Sequence, residues 1–178
     1  SSISQSAVAF FGVYYKLQTF IYMPTSGIVQ GMRPLMSYNY GAKLKERMHQ
    51  ILKVSGLVIA AILGAGTLLF FIVPNVLLSL FNASSGMLEI GETGLRILSL
   101  SFIVSSFGVL MSGVFEALGL GKYSLIVSLL RQLLITVPLA YILLNIMGIE
   151  GIWLSFVIAE AIASIVAYIL YHKKFKTI

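Results

Sequence analysis

The chain has no cysteine, no aspartate and only two histidines, and charged residues fill just 10% of its 178 positions. Without cysteine there are no disulfides, thiolate nucleophiles or cysteine-bound metals. Without aspartate there are no aspartyl dyads and no Ser-His-Asp triads. An average soluble domain is roughly 25% charged, so this deficit, together with 58% hydrophobic residues, excludes an ordinary water-soluble protein. Such a surface belongs in lipid, and the composition predicts an all-α, polytopic membrane bundle.

What charge there is carries a net +6, and its placement assigns it to topology rather than to nucleic acid. Lys43, Lys45, Arg47 and Lys53 form one cluster, Lys122 sits in a short connector, and Lys173, Lys174 and Lys176 close the chain. Between these lie five predicted spans, at about 10–38, 54–78, 95–118, 123–145 and 151–171. The first is longer and more polar, with Lys16, Pro24 and Arg33, and is expected to be tilted or kinked. The basic loops alternate with a loop at 82–93 holding Glu89 and Glu92 and one at 146–150 holding Glu150. Every basic loop falls on one side, so the positive-inside rule predicts a cytoplasmic C-terminus in a cell membrane, plasma or inner. An odd number of spans and a start at SSISQ, without an initiator Met, predict a truncated chain.

Within the spans, Ala60 and Gly64, Gly108 and Ser112, and the ladder Ala159, Ala163, Ala167 recur at helix-contact spacing and read as packing seams. Pro24, Pro74 and Pro138 each remove a backbone donor and are candidates for kinks. Ionisable groups at membrane depth are costly unless paired or hydrated. Glu160 is the central case, near the middle of its span with Ser164 one turn on. It reads either as a proton or cation site or as a protonated carboxyl bonded to a neighbouring helix. Glu116 and Arg131 flank the connector at 119–122 and are expected to form an ion pair across an antiparallel hairpin. Lys16 and Arg96 are expected to snorkel to the outer interface.

Enzyme signatures are missing. The run GLGK at 119–122 has Glu116 where a phosphate loop needs its first glycine, and Tyr123 where it needs Ser or Thr, so it reads as a turn. His49 and His172 fall in predicted cytoplasmic segments, which leaves no metal site at depth. No cofactor is expected.

The most specific segment is PTSGIVQGMRPLMSYNYGAKLKERMHQ, residues 24–50, in which Gly41 is expected to permit a tight helix exit. With Pro24, Gly31, Pro34, Tyr38, Asn39, Gly41 and Ala42 it resembles the multidrug and toxic compound extrusion (MATE) family. The run FEALGLGKYSLIVSLLRQ, residues 115–132, resembles that family's tenth-to-eleventh helix connection, and residues 148–160 resemble its last helix. The resemblance covers essentially the whole chain and matches helices eight to twelve of a twelve-helix, two-lobe antiporter. It implies efflux of small amphipathic, cationic compounds against inward sodium or protons, by rocking of two lobes about a central cavity. The lipid bilayer and a missing N-terminal lobe are the implied partners.

As acids within the spans, Glu160 and Glu116 are the coupling-ion candidates; the family often has Gln where this chain has Glu116, so the resemblance itself assigns Glu116 no coupling role. Tyr14, Tyr15, Tyr22, Met23 and Gln30 are candidates for the cavity wall, with Phe20 beside them. Arg131, Gln132 and Pro138 join the family-motif residues as candidates for gating. Two rival readings are a flippase for lipid-linked oligosaccharides from the same superfamily and a non-transporting membrane scaffold.

Overall fold

The computed structural model describes residues 2–175, with side chains described for 5–174; Lys176 lies outside the described residues. Among the described residues the architecture is entirely helical. The elements are α1 (Ser2–Gly41), α2 (Lys45–Ile72), α3 (Pro74–Ser79), α4 (Ser85–Ala117) and α5 (Gly121–Leu129), a π-helical turn at Leu130–Leu134, then α6 (Thr136–Met147) and α7 (Ile149–Phe175).

Among the described residues four helical rods are long and apolar enough to cross a membrane: Lys45–Ile72, Ser85–Ala117, the run Gly121–Met147, and Ile149–Lys174. The 40-residue α1 is not among them, in keeping with its Lys16, Gln18, Thr19 and Arg33. It is nevertheless ordered by a clear period. Phe10, Tyr14, Leu17, Thr25, Val29, Met32, Met36 and Asn39 are buried, while Val8, Tyr15, Phe20, Met23, Leu35 and Tyr38 are exposed. Recurrence every three or four residues along one stripe gives α1 a single inward face. The helix runs without a break through Pro24 and Pro34.

The centre of the bundle is α4, which packs against α1, α2, α3, α5 and α7. Three hydroxyls tie neighbours to its backbone: Ser37 of α1 donates to the Ala117 carbonyl, Thr67 of α2 to that of Ser99, and Ser164 of α7 to that of Val104. In lipid, where burial gives helices no drive to associate, such bonds and close packing hold the bundle together. The alanine ladder Ala159, Ala163 and Ala167 is fully buried, and a Cβ on Gly108 would meet Ser164 Oγ at 3.3 Å, so these predicted seams do pack. Beneath them lies an aromatic cluster, with Trp153 4.9 Å from Phe10 and 4.7 Å from Phe11, ring to ring.

Several local expectations are corrected. Pro74 does not kink a span: α2 stops at Ile72 and Pro74 opens the separate short helix α3. Proline tolerates the first helical turn, where its missing N–H is not needed. The expected outer loop at 82–93 is mostly helix, because Ser84 caps α4 by accepting from the Met87 N–H, which places Glu89 and Glu92 inside α4. Glu150 likewise lies in the first turn of α7.

Gly41 is the last residue of α1 rather than its left-handed exit. That role falls to Lys43, with φ of 58°, where the Leu44 N–H bonds back to the Asn39 carbonyl and that of Lys43 to Tyr40. This is the Schellman pattern. The same pattern recurs after α4 with Gly119 at φ +72°, so GLGK is indeed a turn.

Candidate functional site: a polar groove along the first helix

On α1, Gln18, Tyr22, Ser26, Gln30 and Arg33 succeed one another at intervals of four, four, four and three, so they form a second stripe beside the buried one. Two cavities lie along it. The first, about 280 Å³, is lined by Ser26, Gln30 and Arg33 of α1, Ser112 and Glu116 of α4, and Ser128, Arg131 and Gln132 beyond the hairpin, with Val29, Val109 and Gly113 at its back. The second, about 390 Å³, is lined by Gln18, Thr19, Tyr22, Met23 and Ser26 together with Arg131. Ser26 and Arg131 belong to both, so the two form one groove with a guanidinium at the junction.

Two ion pairs frame it. Arg33 of α1 pairs with Glu116 of α4, whose other oxygen accepts from Ser124 Oγ at 2.8 Å. Arg131 Nε approaches Glu160 Oε1 to 3.2 Å, joining the π-helical turn to α7. Their burial separates their roles. Side chains of the first pair are 41% and 37% exposed, those of the second 16% and 12%. An exposed pair contributes about 0–1 kcal/mol, whereas losing one partner of a buried pair strands the other charge in low dielectric.

The expected pairing of Glu116 with Arg131 is therefore wrong. Arg131 lies about six residues deeper than the position facing Glu116, roughly 9 Å along a helix, and the structure resolves that gap by giving each a nearer partner. The π-helical turn contributes: Ile135 N–H bonds five residues back to Leu130, Thr136 Oγ1 donates to the Arg131 carbonyl, and Pro138, lacking an N–H, leaves the Leu134 carbonyl without its usual donor. The widened turn carries Arg131 alongside α7. Arg96 pairs with Glu92 at 2.9 Å one turn away and lies over Phe71.

Of the other candidates, Tyr22, Met23, Gln30 and Gln132 line the groove. Tyr22 is fixed there by a 2.6 Å hydrogen bond with Ser105 of α4. Tyr14 does not reach it. That residue is buried in the aromatic core, stacked near Phe102, and its hydroxyl has no hydrogen-bond partner among the described residues. Tyr15 and Phe20 are exposed and line neither cavity.

The motif residues Pro24, Gly31, Pro34, Tyr38, Gly41, Ala42 and Pro138 are exposed, while Asn39 is buried and donates to the Leu35 carbonyl. Gln18, Ser26, Arg33, Ser112 and Ser128 were missed as site residues, although the four-residue stripe on α1 signalled three of them. Among the described residues no group of three His, Cys, Asp or Glu could hold a metal.

Residues 1–142 match the MatE family. The chain belongs to that family. A multidrug export protein MepA from Staphylococcus saprophyticus is 26% identical over 164 residues, which is 92% of this MatE chain and 36% of that protein. A Staphylococcus aureus protein of the same name gives the same figures. The solved MATE multidrug transporter DinF-BH aligns with a TM-score of 0.82 and 31% identity, over 92% of this chain and 36% of that one. A MOP superfamily transporter from Pyrococcus furiosus aligns with a TM-score of 0.89 at 21% identity, over 98% of this chain and 41% of its own. This MatE chain thus spans little more than a third of the length of these relatives, as a multi-pass membrane protein of a transporter family.

Proposed function

We propose that this chain supplies most of one lobe of a secondary efflux transporter, which expels small amphipathic compounds, cationic drugs among them, in exchange for sodium ions or protons. The observation that carries the reading is the groove. A polar stripe on α1 with two framing ion pairs is an expensive arrangement in lipid, where ionisable residues mark solute or ion pathways. The names of the MepA relatives and of DinF-BH support drug export as the activity of the complete protein.

In this reading α1 is the fifth span, the C-terminus is cytoplasmic, and a partner lobe of the same transporter closes the open side of the groove. Alternating access comes from rocking of the two lobes. Glu160 and Glu116 are the carboxylates available to a coupling ion, Glu160 being the more deeply held.

The test is accumulation of a fluorescent amphipathic cation in intact cells making the full-length gene product. Lower accumulation than in cells without it supports export. Unchanged accumulation defeats the drug-export reading and favours the flippase or scaffold.

A further inference from the structure

The basic end of α2 carries a feature that export does not use. Lys45, Glu46, His49, Gln50 and Lys53 line an open groove of about 560 Å³ on one side of the helix. All five are exposed, and among the described residues none of their side chains makes a hydrogen bond or an ion pair. Lys45, His49 and Lys53 follow one another at intervals of four, so they stack on one face over about 12 Å of helix. Helical side chains lean toward the N-terminus, which carries the ammonium of Lys53 up toward His49 and Lys45. Two lysines against one glutamate leave the groove positive before His49 is counted.

The exposed side of α2 changes character abruptly after Lys53. Val54, Leu57, Val58, Ala61, Ala65 and Leu68 are exposed beyond it, while the opposite side packs on α1 and α4. A basic groove joined end to end with an apolar stripe matches a molecule that is anionic at one end and hydrocarbon at the other. Ammonium groups form charge-assisted hydrogen bonds with phosphate oxygens. Each base near an anionic lipid surface contributes about fivefold in binding.

We infer that this face of α2 binds an anionic phospholipid, its phosphate held by Lys45, His49 and Lys53 and its acyl chains lying along Val54, Leu57 and Val58. The inference rests on the chain's lying in a bilayer and not on the drug-export reading. It makes one class of lipid a partner bound at a fixed place, beyond the general preference of basic loops for one side of the membrane.

The test uses the full-length protein in a cysteine-free background, with bimane attached at Leu57→Cys, in phosphatidylcholine nanodiscs. A small fraction of the lipid is either phosphatidylglycerol or phosphatidylcholine with brominated acyl chains, which quench bimane on contact. Equal quenching is expected to need about tenfold less of the brominated phosphatidylglycerol, the scale of two lysines. Lys45→Gln with Lys53→Gln is expected to remove most of that preference. Lys43→Gln with Arg47→Gln takes the same charge from the same connection but outside the groove, and is expected to keep it. All four side chains are exposed, so neither pair of changes disturbs the packing.

Equal quenching by the two lipids, or quenching by neither, overturns the inference. So does an equal loss of preference in both paired variants, which would make the effect one of diffuse charge. Displacement of the brominated phosphatidylglycerol by soluble glycerol phosphate also overturns it, since the groove would then take free phosphate rather than lipid.

Discussion

At the scale of single residues, the two ion pairs are alike in composition and unlike in consequence. Glu160 and Arg131 are nearly buried, so Arg131→Ala strands a carboxylate and is expected to cost about 3–5 kcal/mol, seen as a loss of folded protein on expression. Glu160→Gln removes the charge but keeps the shape and a hydrogen-bonding group. It leaves the Arg131 charge unpaired, but the amide oxygen can still accept from the guanidinium, so it is expected to lower the yield less than Arg131→Ala does and to fail in coupling. Equal loss of expression in both would make Glu160 structural. Glu116→Gln, in the exposed pair, is expected to change stability by less than about 1 kcal/mol, measured as a thermal midpoint. The depth of Glu160 was legible in the sequence because a lone acid in an apolar run stands out. The identity of its partner was not, since pairing depends on which way a helix turns at 130–134, and a π-helical turn leaves no simple periodic trace.

At the scale of elements, the long apolar runs declared themselves, and so did the small-residue seams between α4 and α7. The start of α4 did not, because Glu89 and Glu92 lower its apparent hydrophobicity. Yet Glu92 and Arg96, four apart and paired, are themselves a helical signature. The breaks are local steric facts. Lys43 holds a left-handed conformation that glycine adopts without cost, so Lys43→Gly is expected to raise stability slightly, by up to about 1 kcal/mol. Gly151 shows the opposite case. A Cβ there would run into the backbone carbonyl of Leu143, which cannot yield as a side chain would. Gly151→Ala is therefore expected to open the α6–α7 hairpin and lower the thermal midpoint by several degrees; an unchanged midpoint would show that the hairpin is looser than described.

At the scale of the whole molecule, the charge that is scarce everywhere is arranged by position. Bases gather at the α1–α2 connection, at the start of α5 and at the end of α7, and this chain offers no cysteine of its own to confuse labelling. Single cysteines at Lys45 and Gly121 are expected to react with a membrane-impermeant maleimide only from the cytoplasmic side, and one at Asn82 only from outside. Labelling of all three from one face would refute the topology.

The groove is the feature that unites these levels: an α1 stripe readable in the sequence, closed by a pairing readable only in three dimensions. The claim that it couples solute export to an ion gradient is tested most directly in sealed vesicles containing the full-length protein. Uptake of a fluorescent cation is followed while a sodium or proton gradient is imposed. The account predicts that one of these gradients drives transport in the native protein, and that Glu160→Gln, present at equal abundance, loses the gradient response. Transport that is equally gradient-driven in the variant would contradict it.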